Sequence, residues 1–407
     1  MASPLYVPIG ERASLGIGKE TTFGTPVTPT LFFPLEDFSP TPKNTAIPRT
    51  GARGQLSQVY PATGTYVGKL SLQVEPDPDT LPMLLAYALG TQTTPSLEVV
   101  NTTVTTLAVT AATTVDVADA TNIVPGESIT IGTNSPIVVS SVSGTTVNLA
   151  SGLTSQVSIG GAVTLTSTTA YTSTAKLGTP LPTFTCQNNR VTDTVAYSGC
   201  KVDTFDLTLD PKKGLTAKFT LLNQTESKVG SPATPVYSAL YPFLFETAGG
   251  STTFNGSAIG VAGTAAVLGW QIQGANTLDA NYFSAANGRF PMSFPEQMRK
   301  FTGKATLGFE NDVAQQAFWG GSSGPGTVIA ATALNFFMVS TDLADATAGI
   351  PYSLNLKMSK VFIEAADVAQ KPGAILQQAV TFQMSQSSAG ADDDLVATWV
   401  NTASAVY

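Results

Sequence analysis

Hydrophobic and polar residues alternate in two similar ten-residue stretches, GKLSLQVEPD beginning at Gly68 and GKATLGFEND beginning at Gly303. The apolar positions of these stretches are Leu70, Leu72, Val74, Ala305, Leu307 and Phe309. Because successive side chains of a strand point to opposite faces, each stretch predicts a strand with one buried and one solvated face. Residues 204–210 (TFDLTLD) and 216–221 (TAKFTL) alternate in the same way. Together with abundant Thr, Val and Ser, this pattern indicates an antiparallel all-β protein.

The similarity between the two stretches extends into their surroundings. A short helical segment follows each predicted strand, and residues suited to cap and end it are present. They are Asp77, Asp79 and Gly90 for the first helix, and Asn311, Asp312 and Gly320 for the second. Further along, GCKVDTFDLTLDPKKGLTAKFTLL is loosely matched by KMSKVFIEAADVAQKPGAILQQAVTFQM. We therefore predict two tandem β-sandwich or β-barrel domains with short helices, in residues 1–235 and 236–407.

A segment of different composition interrupts the first domain. From residue 98 to residue 168 the chain is almost free of charge and very rich in Thr, Val and Ser. Short alternating runs are separated by turn signals at Pro125-Gly126 and Ser143-Gly144. We interpret the segment as a small β-module inserted in a loop, which leaves residues 1–97 and 169–235 as the first domain. A disordered Ser/Thr linker is the alternative.

Charge and composition limit the classes of function that the protein can have. The 407 residues carry a net charge of −8, only 12% of them are charged, and histidine is absent. An acidic surface repels phosphate, which disfavours a groove that grips nucleic acid. Without histidine, the chain lacks the usual group for proton transfer near neutral pH and the commonest metal ligand. We predict that the protein is not an enzyme and uses no cofactor or metal.

The cysteines and the apolar runs indicate in which cellular compartment the protein is made. Cys186 and Cys200 are the two cysteines, and we expect two reduced thiols, with a single disulfide as the alternative. The first residues contain no apolar run of signal-peptide length, and no segment reaches membrane-spanning length. We expect a soluble protein that is made in the cytoplasm.

Three short motifs suggest chemistry, but each departs from the pattern it resembles. LGIGKET at residues 15–21 lacks the first glycine and the Ser or Thr of a phosphate-binding loop, and we interpret it as an extended N-terminal arm. GGSSG at residues 320–324 places Ser322 like a hydrolase nucleophile, but a predicted helix precedes it and no histidine exists, which favours a turn. The acidic runs at residues 75–79 and 392–394 lack the spacing of a calcium loop.

Two long segments upstream of the GK strands, residues 43–65 and 276–302, combine aromatic residues with arginine. The candidate contact residues are Arg49, Arg53, Tyr60, Tyr282, Phe283, Arg289, Phe290, Met292 and Phe294. Such residue types are enriched at protein interfaces, and loops of this length are uncommon in a compact domain unless they bind something. We predict contacts between subunits; the alternative is that these residues cover their own domain.

These features resemble the tail tube proteins of long-tailed bacteriophages. The resemblance rests on the segment GIGKETTFGTPVTPT, the Arg-containing loop, the strand GKLSLQVE with its helix, and the strands GCKVDTFDLTL and AKFTLL. It covers most of residues 10–235 and, more weakly, the second half. It implies β-sandwich domains with a flanking helix, whose strands join those of neighbouring subunits in a closed inner barrel.

The resemblance also implies an assembly and its partners. Family members with one domain per chain form six-membered rings, so two domains per chain imply a homotrimeric, pseudo-hexameric ring. Rings stacked through loops and arms would form the tail tube of a virion, assembled in the host cytoplasm. The implied partners are a tape measure protein and tail-end proteins, with DNA passing through the lumen without specific binding.

A wall along which DNA slides should lack a positive potential that would bind the phosphate groups. The solvated strand faces carry Glu75, Asp206, Asp210 and Glu310, which are the lumen candidates. The same faces pointing outward to solvent is the alternative for these residues. The alternative function is a tail fibre or surface adhesin with a carbohydrate-binding β-module.

Overall fold

Strands dominate the computed structural model, which describes residues 13–49, 60–120, 123, 125–244, 252–254, 257–259, 266–310, 312–329, 331–346, 348–370, 373 and 375–407. Within these ranges the chain forms 24 strands and two α-helices, joined in antiparallel ladders. The predicted all-β class with short helices is therefore confirmed. No helix in the described ranges is both long and apolar enough to cross a bilayer.

The part of the chain up to residue 235 contains one helix and the first sixteen strands. They are β1 (Ser14–Lys19), β2 (Leu31–Phe33), β3 (Leu35–Pro40), β4 (Lys43–Ile47), β5 (Ala62–Val74), α1 (Leu81–Leu89), β6 (Gly90–Gln92), β7 (Ser96–Thr103), β8 (Thr114–Asp116), β9 (Ser128–Ile131), β10 (Ile137–Ser143), β11 (Thr146–Leu149), β12 (Ala162–Leu177), β13 (Phe184–Asn189), β14 (Thr194–Asp210), β15 (Gly214–Asn223) and β16 (Thr225–Val229).

The remaining described residues contain the second helix and eight further strands. They are β17 (Thr253–Phe254), β18 (Ser257–Ala258), β19 (Val267–Ala275), β20 (Lys300–Gly308), α2 (Val313–Trp319), β21 (Thr332–Asp345), β22 (Ile350–Ala369), β23 (Gln377–Ser385) and β24 (Val396–Asn401).

An eight-stranded antiparallel sheet runs through both halves of the chain in the order β3-β5-β15-β14-β19-β20-β23-β22. Its first four strands come from the first half, and its last four come from the second half. In the first half, the GK strand β5 lies between β3 and β15, and in the second half the GK strand β20 lies between β19 and β23. β15 and β23 are each the second strand of a hairpin, which begins with β14 and β22, respectively. The two halves therefore share one strand order, and the β14–β19 ladder joins them.

β14 and β22 occupy equivalent places because each passes from this sheet into a second one. Residues 194–198 of β14 pair with β13 and β16, and the rest of the strand pairs with β15 and β19. The start of β22 pairs with β21 and β24, and its end pairs with β23. Gly199 lies between the two parts of β14 with φ 66°, a conformation that glycine adopts without strain. Two-layered packing results in each half.

The glycine of each GK motif faces a bulky side chain on the next strand. Gly68 pairs with Asn223 and Gly303 pairs with Phe382. A Cβ atom on Gly303 would lie 2.5 Å from the ring of Phe382, and one on Gly68 would lie 2.0 Å from Oδ1 of Asn223. Both distances are far below van der Waals contact, so close packing between strands requires glycine at these positions.

Two apolar cores lie behind the strands. The larger core is continuous through both halves and includes the fully buried helix α1 together with Leu72, Phe219 and Phe382. The smaller core belongs to β7–β12, the region of the predicted module, and extends onto Ile350 and Tyr352 of β22. The module region therefore packs against the second half of the chain. The module region follows α1 and β6, whereas β21 is the next strand after α2.

The interpretation of residues 15–21 as an extended arm is wrong. Residues 14–19 form β1, a strand with β13 on one side and β2 on the other. Leu15 and Ile17 are fully buried in the larger core. Alternation is hidden here because residues 14–18 are all buried, so small and apolar residues are needed on both faces.

The helix ends agree with the sequence predictions at the C-termini and differ at the first N-terminus. Gly90 and Gly320 end the two helices, as predicted. Thr80, not Asp77 or Asp79, occupies the N-cap of α1. Asp77 instead accepts hydrogen bonds from the backbone N–H groups of Asp79 and Thr80, both at 2.9 Å. For α2, Asp312 is at the N-cap without a side-chain bond, and Asn311 lies outside the described residues.

Candidate assembly surfaces

One face of the eight-stranded sheet is polar and solvated, and the other covers the larger core. The polar side chains continue across strands in register, so that a single row runs through both halves. That row consists of Gln73, Lys218, Asp206, Gln273, Thr302 and Gln383. The buried side chains directly behind this row alternate with it, as a period of two requires.

Charges of both signs are interspersed on this polar face. The lysines are Lys69, Lys218, Lys300, Lys304 and Lys360, and the carboxylates include Glu36, Asp37, Asp206, Asp210 and Asp367. Asp206 accepts hydrogen bonds from the amides of Gln271 at 2.6 Å and Gln273 at 2.7 Å. Because the charges are mixed, the face has no continuous positive stripe that would hold a polyanion.

The sheet has an open edge at each end. In the described ranges β3 pairs with β5 alone, so its other edge carries unpaired backbone groups. At the opposite end, β22 pairs with β21 only as far as Val361, and its last residues pair with β23 alone. Open edges of this length favour pairing with another chain.

The ladder between β14 and β19 shows how the two halves meet within one chain. It contains six residue pairs, from Thr204–Ala275 to Leu209–Trp270. The segment before β20 lies at the end of this ladder and makes polar contacts there. Asn276 donates to the carbonyls of Ala88 and Val202, both at 2.9 Å.

A buried ion pair and an arginine complete this connection. Lys201 on β14 contacts Glu296 with Nζ–Oε1 2.7 Å; the Lys201 side chain is buried and the Glu296 side chain is mostly buried. Arg299 donates to the carbonyl oxygens of Leu89 at 3.1 Å and Gly178 at 2.6 Å. Sequence analysis missed these residues because a charged side chain gives no sign of a partner that is distant in the chain.

The two loop segments upstream of the GK strands differ in structure. In the first half, β4 pairs with the start of β5, and every residue of β4 is exposed, so this hairpin projects from the sheet. In the second half, the segment folds back onto the base of that hairpin. The guanidinium of Arg289 lies 6.0 Å from the ring centre of Tyr66 and also donates to Asn44. The second segment therefore covers part of the first half of its own chain.

The predicted contact residues consequently fall into groups. Arg49, Tyr60 and Tyr282 are exposed, and Arg53 lies outside the described residues. Phe283, Arg289 and Phe290 are half-buried, and the latter two pack against Tyr66. Met292 is exposed. Phe294 is fully buried against Phe23, so its interpretation as an exposed contact residue is wrong.

The lumen candidates lie on or next to the polar face. Asp206 and Asp210 project from β14 on this face. Glu75 and Glu310 lie just beyond the ends of the two GK strands, half-buried and exposed, respectively. Sequence analysis did not include the lysines among the lumen candidates, although alternation places them on the same face.

The two cysteines and Ser322 lie in the core and in a bend after α2, respectively. Cys186 and Cys200 are free, buried thiols, and burial raises the pKa of Cys200. Ser322 follows α2 in a turn, so the strand–nucleophile–helix arrangement of a hydrolase is missing there.

Comparison with known proteins gives one family match. A family model described as "Phage tail tube protein" matches residues 10–384, which is most of the chain. No curated protein matches. The matched range includes the central sheet except the last residue of β23, and it includes both helices and the module region.

Proposed function

Since the chain belongs to the phage tail tube protein family, we propose that three copies close into a ring and that such rings stack to form the tail tube. The structural role and the assembly into a tube follow from the family. The trimer, the path of DNA and the further partners are the proposed parts.

The observation that carries the trimer is the β14–β19 ladder inside one chain. There, the last strand of the first four-stranded unit pairs with the first strand of the second unit. β22 is the last strand of the second unit and β3 is the first strand of the first unit, and both have open edges. Pairing the end of β22 of one chain with the end of β3 and the start of β4 of the next would repeat the internal ladder. Three chains would then supply six units and leave no edge unpaired.

The polar face of the sheet would line the lumen. Its mixed charges and its Thr, Gln and Ser side chains offer DNA hydration without a net positive potential. The exposed β4–β5 hairpin would contact the adjacent ring. In this arrangement the tape measure protein would occupy the lumen during assembly in the host cytoplasm, and tail-end proteins would bind the terminal rings.

The domain division is proposed on the same basis. Residues 1–97 with 169–235 would be the first domain, residues 236–407 the second, and residues 98–168 the inserted module. The repeated strand order and the separate module core support this division.

Disulfide cross-linking tests the edge pairing. Thr45 on β4 is changed to Cys together with either Ala365 or Asp367 on β22, because Thr45 and Asp367 correspond in register to Ala275 and Thr204 of the internal ladder, and purified assemblies are oxidised. The native cysteines are buried, so they do not interfere. We expect non-reducing gels to show linked dimers and trimers and no larger species, because a closed ring has three joints.

Each single-cysteine variant is the matched control and should remain monomeric on the gel. Monomers at both positions of β22 would contradict the edge pairing. A ladder that continues beyond three chains would retain the pairing but refute the closed trimer.

A further inference from the structure

The ladder between the two halves carries a contact between one carboxylate and two neutral amides on its polar face. Oδ2 of Asp206 on β14 accepts a hydrogen bond from Nε2 of Gln273, its ladder partner on β19, at 2.7 Å. It accepts another at 2.6 Å from Nε2 of Gln271, two residues before that partner. A carboxylate at this ladder therefore reaches both its direct partner and the diagonal residue two positions earlier.

The end of β22 corresponds to this part of β14. Two rows of register partners show the correspondence, Thr204–Thr220–Ser71 in the first half and Asp367–Ala379–Thr306 in the second. Ser71 and Thr306 occupy the same position in the two GK stretches. Asp367 on the open edge of β22 is therefore the counterpart of Thr204.

The start of β4 corresponds in the same way to the end of β19. Lys43 faces the residue before the GK glycine of the first half, and Gln273 faces the residue before the GK glycine of the second half. Lys43 is thus the counterpart of Gln273. Two residues further along, Thr45 is the counterpart of Ala275, which faces Thr204 in the internal ladder.

We infer, on the basis of the ring proposed above, that Asp367 of one copy forms an ion pair with Lys43 of the next copy and that this pair determines which edges join. When β22 pairs with the next copy as β14 pairs with β19, Asp367 faces Thr45, and Lys43 lies two residues before that partner. Gln271 stands in this same relation to Asp206, so the ammonium group is within reach of the carboxylate.

Both charged side chains are free for this contact. Lys43 and Asp367 are exposed, and among the described residues of the same chain neither has an ion-pair partner. Glu364 is exposed on β22 as well and adds a second negative charge to this edge. Two β22 ends would therefore repel each other, whereas β22 and β4 bring opposite charges together.

The difference between the two ladders has a physical reason. The halves of one chain are covalently connected, so their edges meet at high effective concentration and a neutral contact is sufficient. Separate copies meet by diffusion, and complementary charges favour the correct edge and orientation. An exposed pair of this kind is weakened by salt.

Charge reversal tests the ion pair in the full-length chain. Sedimentation measures the lowest protein concentration at which trimers or larger assemblies form. For Asp367→Lys and for Lys43→Asp, we expect this concentration to rise at least about fivefold, because an attraction becomes a repulsion at each joint. The double variant restores opposite charges and should assemble like the unchanged chain. High salt should reduce the effect of each single reversal.

Lys304→Asp is the matched control, because Lys304 is exposed on the same polar face but lies on β20, which has a partner strand on each side. It should assemble like the unchanged chain. If the unchanged chain forms no rings, the proposed ring fails and the ion pair fails with it. If rings form and the single reversals do not alter their assembly, the ion pair alone is overturned. A loss of assembly that neither the double variant nor salt reverses also overturns it.

Discussion

Lys201 and Glu296 form a buried ion pair with Nζ–Oε1 2.7 Å, although 95 residues separate them in the chain. Their side chains are 5% and 10% exposed. Nζ of Lys201 also donates to the carbonyl of Phe294 at 3.2 Å, and the N–H of Leu181 donates to Glu296 at 3.0 Å. The pair fixes the segment before β20 to β14, so it stabilises the contact between the two halves.

Removing one partner of this ion pair should lower the stability of the fold. Lys201→Met leaves the mostly buried Glu296 carboxylate without its nearest counter-charge, and we expect a loss of up to about 3 kcal/mol in the free energy of unfolding. Urea unfolding of the unassembled chain, followed by tryptophan fluorescence, measures it. Arg190→Met is the control, because the Arg190–Asp193 pair is exposed and should contribute less than about 1 kcal/mol. Equal effects of the two substitutions would contradict the role given to Lys201.

The same ion pair predicts sensitivity to acid. Burial, the largest influence, raises the pKa of Glu296, but the hydrogen bonds from Lys201 and Leu181 and the charge of Lys201 together bring it below the ordinary value of 4.5. A carboxyl whose folded pKa is depressed stabilises the fold above its unfolded pKa and loses that contribution as pH falls through the folded pKa. We therefore expect stability to decrease below about pH 4.5. Glu296→Gln should show a shallower decrease than the unchanged protein in thermal melts from pH 6 to pH 3.

The glycine of the second GK motif should resist substitution. In Gly303→Ala the new Cβ would lie 2.5 Å from the Phe382 ring and 2.9 Å from the carbonyl oxygen of Gln271. Overpacking of this kind costs about 1–3 kcal/mol, measurable as a lower denaturation midpoint. Gly230→Ala, where no atom lies within 4 Å of the added Cβ, should leave the midpoint unchanged within error. An unchanged midpoint in Gly303→Ala would show that the strands separate easily.

The module region should be dispensable for assembly but not for full stability. Thr103 of β7 and Ala162 of β12 are register partners, so an Asn-Gly turn can join them after residues 104–161 are removed. We expect negative-stain microscopy to show tubes of normal diameter. The melting temperature should fall, because Ile350 and Tyr352 lose their apolar cover. A folded variant that forms no tubes would refute the prediction.

The exposed hairpin should be required for stacking. Ile47 and Ala62 are register partners, so residues 48–61 can be replaced by an Asn-Gly turn without disturbing β3 or the rest of β5. We expect isolated rings with few tubes, because the removed residues include Arg49, Arg53 and Tyr60. The variant without residues 104–161 is the control, since it loses more residues and should still form tubes. Tubes of normal length from the hairpin variant would exclude this role.

Strands with one solvent-exposed face were predictable from sequence, and strands buried on both faces were not. The Leu70–Leu72–Val74 alternation directly identified β5, because one face meets the core and the other meets water. β1 has no such contrast, so it was interpreted as an arm although residues 14–18 are all buried. Likewise, Phe294 has the residue type of an interface but packs inside its own chain.

The sequence by itself determined the all-β class, the two GK strands and the helix-ending glycines, because these depend on local periodicity and local residue chemistry; the duplication of the domain stays a prediction from similarity within the chain. Only the tertiary structure decided which strand edges are open, that Lys201 contacts Glu296, and that the module region packs on β22. Contacts of this kind depend on the path of the whole chain, since a buried charge and an exposed one have the same letter in the sequence. Tertiary packing selects among the pairings that the local pattern allows.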